Sequence, residues 1–230
     1  MKKSIVTRLQ WYSTGAMFCV LFVCCMIILG CTGKQTKDIE QVAEEDMICS
    51  CPPTIFLQPY GDYSSKEASM LGKVLKRHLN ELFCIDFDFE VLPQQPLSDA
   101  FLNDAKTRYR ADKIIRSLSS KADEHNIYIG LTHRDISCSL RGKADWGVQG
   151  LSLRPKKACV VSTFRVKGKG EFWKVVCHEF IHTFYNYGHC PQNDATCLMQ
   201  DASGHPNLKN KRGLCDFCRE LIMNCKYCAK

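Results

Sequence analysis

Beyond residue 53, helix-like and strand-like spacings of apolar residues take turns along the chain. Thr54 to Pro59 (TIFLQP) is a short β-rich run ended by proline and Gly61. Ser64 and Glu67 have capping-box spacing, and apolar residues then recur at helical intervals as far as Phe83. Ile85 to Leu92 alternates in part as IDFDFEVL and stops at Pro93, which predicts a second strand. Ser98 is placed to cap a long helix reaching about Ser120, and Asn126 to Thr132 (NIYIGLT) predicts a buried strand before a charged turn at His133, Arg134 and Asp135. This βαβαβ order predicts a mostly parallel sheet with helices packed on it. Farther on, Asp145 to Leu153 has the glycines, alternation and bulky Trp146 of an edge strand lining a cleft. Ala158 to Ser162 predicts another buried strand, and Val166 to Gly170 a solvated loop. Between Glu171 and Phe184, Phe172, Val175, Val176, Phe180, Ile181 and Phe184 give a helix one buried face. The fold class is α/β: one domain, a mixed twisted sheet and packed helices.

The first thirty residues break this pattern. Lys2, Lys3 and Arg8 precede an apolar run of 14 residues, Ala16 to Leu29. A membrane-spanning helix needs about 20 such residues, so the segment predicts a signal peptide over residues 1–30 in preference to a permanent span. The run ends in Ile28-Leu29-Gly30-Cys31, which resembles the lipobox of bacterial lipoproteins; an ordinary cleavage site near Gly30 is the alternative. The resemblance implies that Cys31 is acylated and becomes the mature N-terminus. The protein would then sit outside the cytoplasm, periplasmic or at the cell surface, held to a bacterial membrane by its lipid. Residues 31–52, polar and acidic, predict a tether, and residues 53–230 the folded domain.

With 45% hydrophobic and 10% aromatic residues, the 230-residue chain has enough apolar surface for a core, which excludes full disorder. The net charge of +7 falls to +4 once the three N-terminal bases are set aside, too weak a basic footprint for a nucleic-acid partner. Cysteine changes the picture more: 16 residues demand disulfides, metal or lipid. His78, His125, His133 and His205 lie in polar surroundings and predict solvated side chains.

On the helix to Phe184 stands His178-Glu179-Phe180-Ile181-His182, an H-E-x-x-H motif. Residues four apart share a helical face, so both imidazoles can hold one ion while Glu179 reaches a water beside it. Two surface histidines on an ordinary helix are the bland alternative. His189 follows, eleven residues after His178; a continuous helix would carry it about 16 Å along the axis, so the chain must turn back to bring it to the same ion. Asn186 and Gly188 are the residues suited to the positive φ of such a turn. Three neutral imidazoles leave a fourth zinc position open, as catalytic sites require. Beyond lie Cys190, Cys197-Leu198-Met199 and Cys215-Asp216-Phe217-Cys218, with a further C-x-x-C at Cys225 and Cys228. Disulfides are the competing reading for these cysteines outside the cytoplasm, with zinc the favoured one.

The constellation resembles the archaemetzincins, metallopeptidases of the metzincin clan, whose pattern runs H-E-x-x-H-x-x-G-x-x-H-C, four residues, C-x-M, about seventeen residues and C-x-x-C. A weaker likeness reaches upstream through TIFLQPYG, TRYRADKIIRSL, IYIGLTHRD and WGVQGLSLRPKKACVVSTFR, so it spans roughly residues 53 to 222. The resemblance implies a metzincin-like domain that hydrolyses peptide bonds of a peptide or protein substrate, as a monomer. It implies two zinc ions per chain. His178, His182 and His189 would hold the catalytic one, with Glu179 as general base, and Cys190, Cys197, Cys215 and Cys218 a structural one. Met199 falls at the family's Met-turn. This chain departs from the pattern in three places: His182 to His189 is one residue longer with Tyr185 at the family's glycine, six residues separate Cys190 from Cys197, and fifteen separate Met199 from Cys215. Asn186 restores the turn if it takes the left-handed conformation. The alternative function is a surface lipoprotein that binds zinc without turnover, which would need neither an open coordination position nor Glu179.

Overall fold

In a computed structural model that describes residues 52–204 and 207–224, five strands form the main sheet, in the order β2 (Phe89–Val91), β1 (Thr54–Pro59), β4 (Asn126–Thr132), β8 (Ala158–Ser162) and β7 (Gly150–Ser152). The first four are parallel, registered Leu57 to Ile129 and Leu131 to Val161, while β7 runs antiparallel to β8 with Leu151 beside Val160. The predicted signal peptide, Cys31, the tether up to residue 51, His205, and Cys225 and Cys228 lie outside the described residues. Among those described, no helix is long and apolar enough to cross a membrane.

Strand alternation divides the core between the two faces of this sheet. From β8, Cys159 and Val161 join the apolar sides of α1 (Ser65–Phe83) and α3 (Phe172–Phe184). Ala158 and Val160 point the other way, to Ile114, Ile115 and Leu118 of α2 (Ala111–Ser119). Each of those three side chains is fully buried, which stabilises the fold by about 1.5–3 kcal/mol apiece. Helix α1 starts where its capping box predicts: the Ser64 hydroxyl accepts from Glu67 N at 3.2 Å, and the Glu67 carboxylate accepts from Ser64 N at 2.9 Å. It stops at Cys84, which sits at φ 56.

A second sheet was not evident from the residue pattern. In it β3 (Tyr109–Arg110) lies parallel to β5 (Ile136–Leu140), which makes an antiparallel hairpin with β6 (Lys143–Val148). Arg141 and Gly142 turn the hairpin with φ of 51 and 75, the two positive values that suit the strand twist. The edge strand expected over Asp145 to Leu153 is therefore two strands, β6 in the small sheet and β7 on the edge of the large one. Asp135 ties the sheets together, accepting from Arg108 at 2.9 Å and from Arg165 at 2.7 Å.

The long helix expected from Ser98 is corrected as well. Ser98 caps only a single 3-10 turn, Asp99–Phe101. The Asn103 carboxamide then accepts from the backbone N–H groups of Thr107 and Arg108, at 2.9 and 3.2 Å. Such a side chain offers the backbone a turn in place of a helix, and α2 begins only at Ala111. Two histidines expected to be solvated are packed instead: His78 stacks on Trp173 with centroids 3.6 Å apart, and His133 stacks on Tyr63 while its Nδ1 lies 2.6 Å from the Thr163 hydroxyl.

Candidate metal centres

Helix α3 buries Val175, Val176, Phe180, Ile181 and Phe184 against the sheet, which fixes the rotation of the helix and hence the face bearing His178 and His182. His178 Nδ1 donates to the Leu198 carbonyl at 2.8 Å, and His182 Nδ1 to the Tyr187 carbonyl at 2.6 Å. A carbonyl only accepts, so both ring protons are committed to Nδ1. The two Nε2 atoms, 3.0 Å apart, then face each other as bare lone pairs. Protonating either is opposed by burial, which pushes His178 down to about 3 and His182 to about 4. A cation between them would resolve the repulsion. Imidazoles 2.0–2.1 Å from a tetrahedral zinc lie roughly 3.4 Å apart, within a few tenths of an ångström of what is seen.

His189 completes the set, with the ligand atoms of all three histidines within 4.8 Å of one another. The chain gets there by leaving the helix at Tyr185 and turning at Asn186, whose φ is 51. Gly188 has no positive φ. The turn therefore lies where the lengthened spacing predicts it, three residues before His189.

Cys190 follows at once and belongs to the second cluster. The sulfurs of Cys190, Cys197, Cys215 and Cys218 all lie within 4.8 Å of one another, yet none is in a disulfide. Cys190 and Cys215 are 3.7 Å apart. Four sulfurs held 2.3 Å from a tetrahedral zinc have edges of about 3.8 Å, so the donors fit that ion. The cluster is supplied with donors: Cys215 N points to the Cys197 sulfur and the Tyr187 hydroxyl to that of Cys218, each at 3.4 Å. Lys211, not anticipated from the sequence, is buried, and its ammonium donates to the Ala195 carbonyl at 3.1 Å and to Gln200. It closes the long loop between Cys190 and Cys197 and brings a positive charge near the sulfurs of those two residues. Met199 is fully buried, and its carbonyl accepts from Cys190 N at 2.7 Å, which locks the Cys197–Met199 segment to the residue after His189.

No protein-family model matches the chain, and no curated protein matches it significantly. Solved structures do. The archaemetzincin of Methanopyrus kandleri superposes with a TM-score of 0.58 at 22% identity, over 74% of this chain and 94% of that one. The archaemetzincin of Archaeoglobus fulgidus, solved in complex with malonate, gives 0.53 at 22% identity over 73% and 98%. A zinc-dependent peptidase of Methanocorpusculum labreanum gives 0.54 at 17% over 73% and 99%. The chain has the archaemetzincin fold.

Within this archaemetzincin fold, Glu179 is held against the edge strand. It is only 7% exposed, and burial pushes its carboxyl up to about 8, against the opposing pull of a hydrogen bond from Ser152. A dication at the histidines would draw it down again. The approach to β7 requires glycine: a Cβ on Gly150 would lie 2.6 Å from Glu179 Cγ and 2.8 Å from Oε1. Gly150 and Ser152 thus place the carboxylate, and neither was singled out in the sequence, because only the tertiary contact between β7 and α3 reveals them. Cys138, Cys159 and Cys177 are buried thiols that belong to neither cluster, and Cys84 is exposed.

Proposed function

We propose that the chain is a zinc-dependent peptidase, with a catalytic zinc held by His178, His182 and His189 and a structural zinc held by Cys190, Cys197, Cys215 and Cys218. One observation carries the reading: two imidazoles with their protons committed elsewhere turn bare Nε2 atoms toward one point, beside a buried carboxylate and a third histidine. Three protein ligands leave a coordination position free. The solved neighbours with this fold include a zinc-dependent peptidase, which supports the same chemistry.

Zinc, when bound, supplies the Lewis acid that acidifies a water and polarises the scissile carbonyl. Glu179 accepts a proton from the attacking water and returns it to the leaving amine as the C–N bond breaks. Ser152 and Gly150 hold that carboxylate in place. The substrate backbone pairs with the side of β7 that is unpaired among the described residues, which sets the scissile carbonyl at a fixed height over the cleft. Full-length protein extracted in detergent is expected to contain two zinc ions and to cleave a mixed peptide library, with a chelator removing the histidine-bound ion first. A preparation holding one ion or none would overturn the two-site reading, and intact peptides with both ions present would overturn the peptidase.

The lipobox-like Cys31 supports an extracytoplasmic, lipid-anchored location. Cys31→Ala is expected to abolish fatty-acid labelling and to move the protein out of the detergent-dependent membrane fraction. Labelling that persists in the variant would put the anchor elsewhere.

A further inference from the structure

We propose that Arg154 reads a carboxylate of the substrate, so that the site prefers peptides with an acidic side chain, or a free C-terminus, beside the scissile bond. The inference rests on the peptidase reading above and adds a substrate class to it. Arg154 lies two residues beyond β7, the edge onto which a peptide would pair. Its Nη1 donates to the Asn186 carbonyl at 3.3 Å and lies 3.8 Å from where a Cβ on Gly188 would stand. These are the residues of the turn that returns His189 to the site. The guanidinium is exposed but not free-floating, and one of its five N–H donors is used in that contact.

The balance of charge favours an external anion. Arg154 is held on the turn that carries His189, which brings its guanidinium to the histidine side of the cleft. Arg141, at the turn of the β5–β6 hairpin, is already paired, with Asp201 at 3.0 Å. Arg154 has no carboxylate within ion-pair distance among the described residues, and Glu179 is turned away against β7. A dication at the three imidazoles would add two positive charges to the same cleft, only one of them offset by an ionised Glu179. A planar, pinned guanidinium with unused donors matches a carboxylate in geometry as well as in sign. A substrate carboxylate therefore offsets a charge that the fold leaves unpaired.

The test uses zinc-loaded full-length protein in detergent and matched fluorogenic peptides. One set differs only in Glu, Gln or Lys at the residues flanking the scissile bond. The other compares free and amidated C-termini close to that bond. Cleavage with a kcat/KM about fivefold higher for Glu than for Gln is expected, lowest for Lys and with the preference shrinking as salt rises. In Arg154→Gln the Glu-to-Gln ratio falls to about one, while Arg154→Lys keeps part of it. Discrimination confined to the free against the amidated terminus would assign the carboxylate to the chain end. Equal cleavage throughout both sets by the wild-type protein would overturn the proposal. So would an Arg154→Gln variant that lowers all peptides in proportion together with zinc affinity, since Arg154 would then only brace Asn186. Binding of the same peptides to zinc-loaded Glu179→Gln, followed by fluorescence anisotropy, separates the two readings. A carboxylate preference in binding with no wild-type turnover would leave this inference standing and remove the peptidase.

Discussion

Glu179→Gln is expected to keep both metal ions and lose peptide hydrolysis by a factor on the order of a hundred or more. The substitution is nearly isosteric, so the cleft between α3 and β7, where Gly150 leaves room only for the side chain already there, stays filled. The Ser152 hydroxyl keeps a carbonyl oxygen to donate to. What disappears is a group able to take a proton from water and hand it on. Zinc content measured beside turnover distinguishes this from damage to the site: a fall in both would mean that Glu179 holds the ligand helix in place, and undiminished turnover would remove it as the base. The metal-free protein provides a second readout. With its folded pKa pushed up to about 8 from an ordinary 4.5, Glu179 keeps its proton in the folded state over a range where the unfolded chain has lost it. Its contribution to stability is present below about 4.5 and is lost as pH rises through about 8. Unfolding of the metal-free variant should lack that part of the pH dependence, whatever the histidines contribute in both proteins.

The elements legible in the sequence are those whose burial or caps are local facts. β1, β4 and β8 are short apolar runs because both of their faces are covered, and each begins and ends at the residues the pattern marks. Helix α1 is set by Ser64 and Glu67, two residues that need nothing else from the protein. The hairpin of β5 and β6 was hidden because its sequence, with Ser137, Cys138 and Ser139, is neither strongly apolar nor regularly alternating, and its turn is Arg141-Gly142, a pair that composition does not flag. The helix expected from Ser98 failed for a related reason: one Asn103 side chain, bonded to two backbone N–H groups, outweighs a run of acceptable helix formers. At the candidate metal centres, spacing carried the information, since side chains on one helical turn or flanking one loop leave a fixed signature. Asn186 was legible because an inserted residue must be absorbed somewhere, and few residues tolerate the conformation required. Gly150, Ser152, Arg154 and Lys211 were not. Their contributions come from contacts with segments far along the chain, and a glycine or an arginine has too many ordinary uses to announce such a contact.

Cys218→Ser is expected to remove the cysteine-bound ion and, through it, to weaken the histidine-bound ion by about ten- to a hundredfold. Cys218 is fully buried in the first turn of α4 (Asp216–Met223), and the oxygen that replaces its sulfur is a poor ligand for an ion otherwise held by thiolates. Three sulfurs remain, but the C-terminal helix has lost its attachment to them. A structural zinc site of this kind contributes to folding on the order of 10 kcal/mol, so the segments it joins come apart locally when it empties. The path to the other site is short. Cys190 is bonded through its N–H to the Met199 carbonyl, and the Leu198 carbonyl beside it holds the His178 proton. Loosening the Cys197–Met199 segment therefore releases the orientation of His178 as well as the position of His189. The coupling would be asymmetric in its structural consequences, because His189→Ala would remove one ligand of the proposed catalytic ion and leave all four sulfurs and the bonds between their loops untouched. Metal content of the two variants, each measured against a graded series of chelator concentrations, should show Cys218→Ser depleted at both sites and His189→Ala at one. Retention of the histidine-bound ion at wild-type affinity in Cys218→Ser would mean that Asn186 and the carbonyl of Tyr187 suffice to hold the catalytic ligands, and that the cysteine cluster serves the C-terminal helix alone.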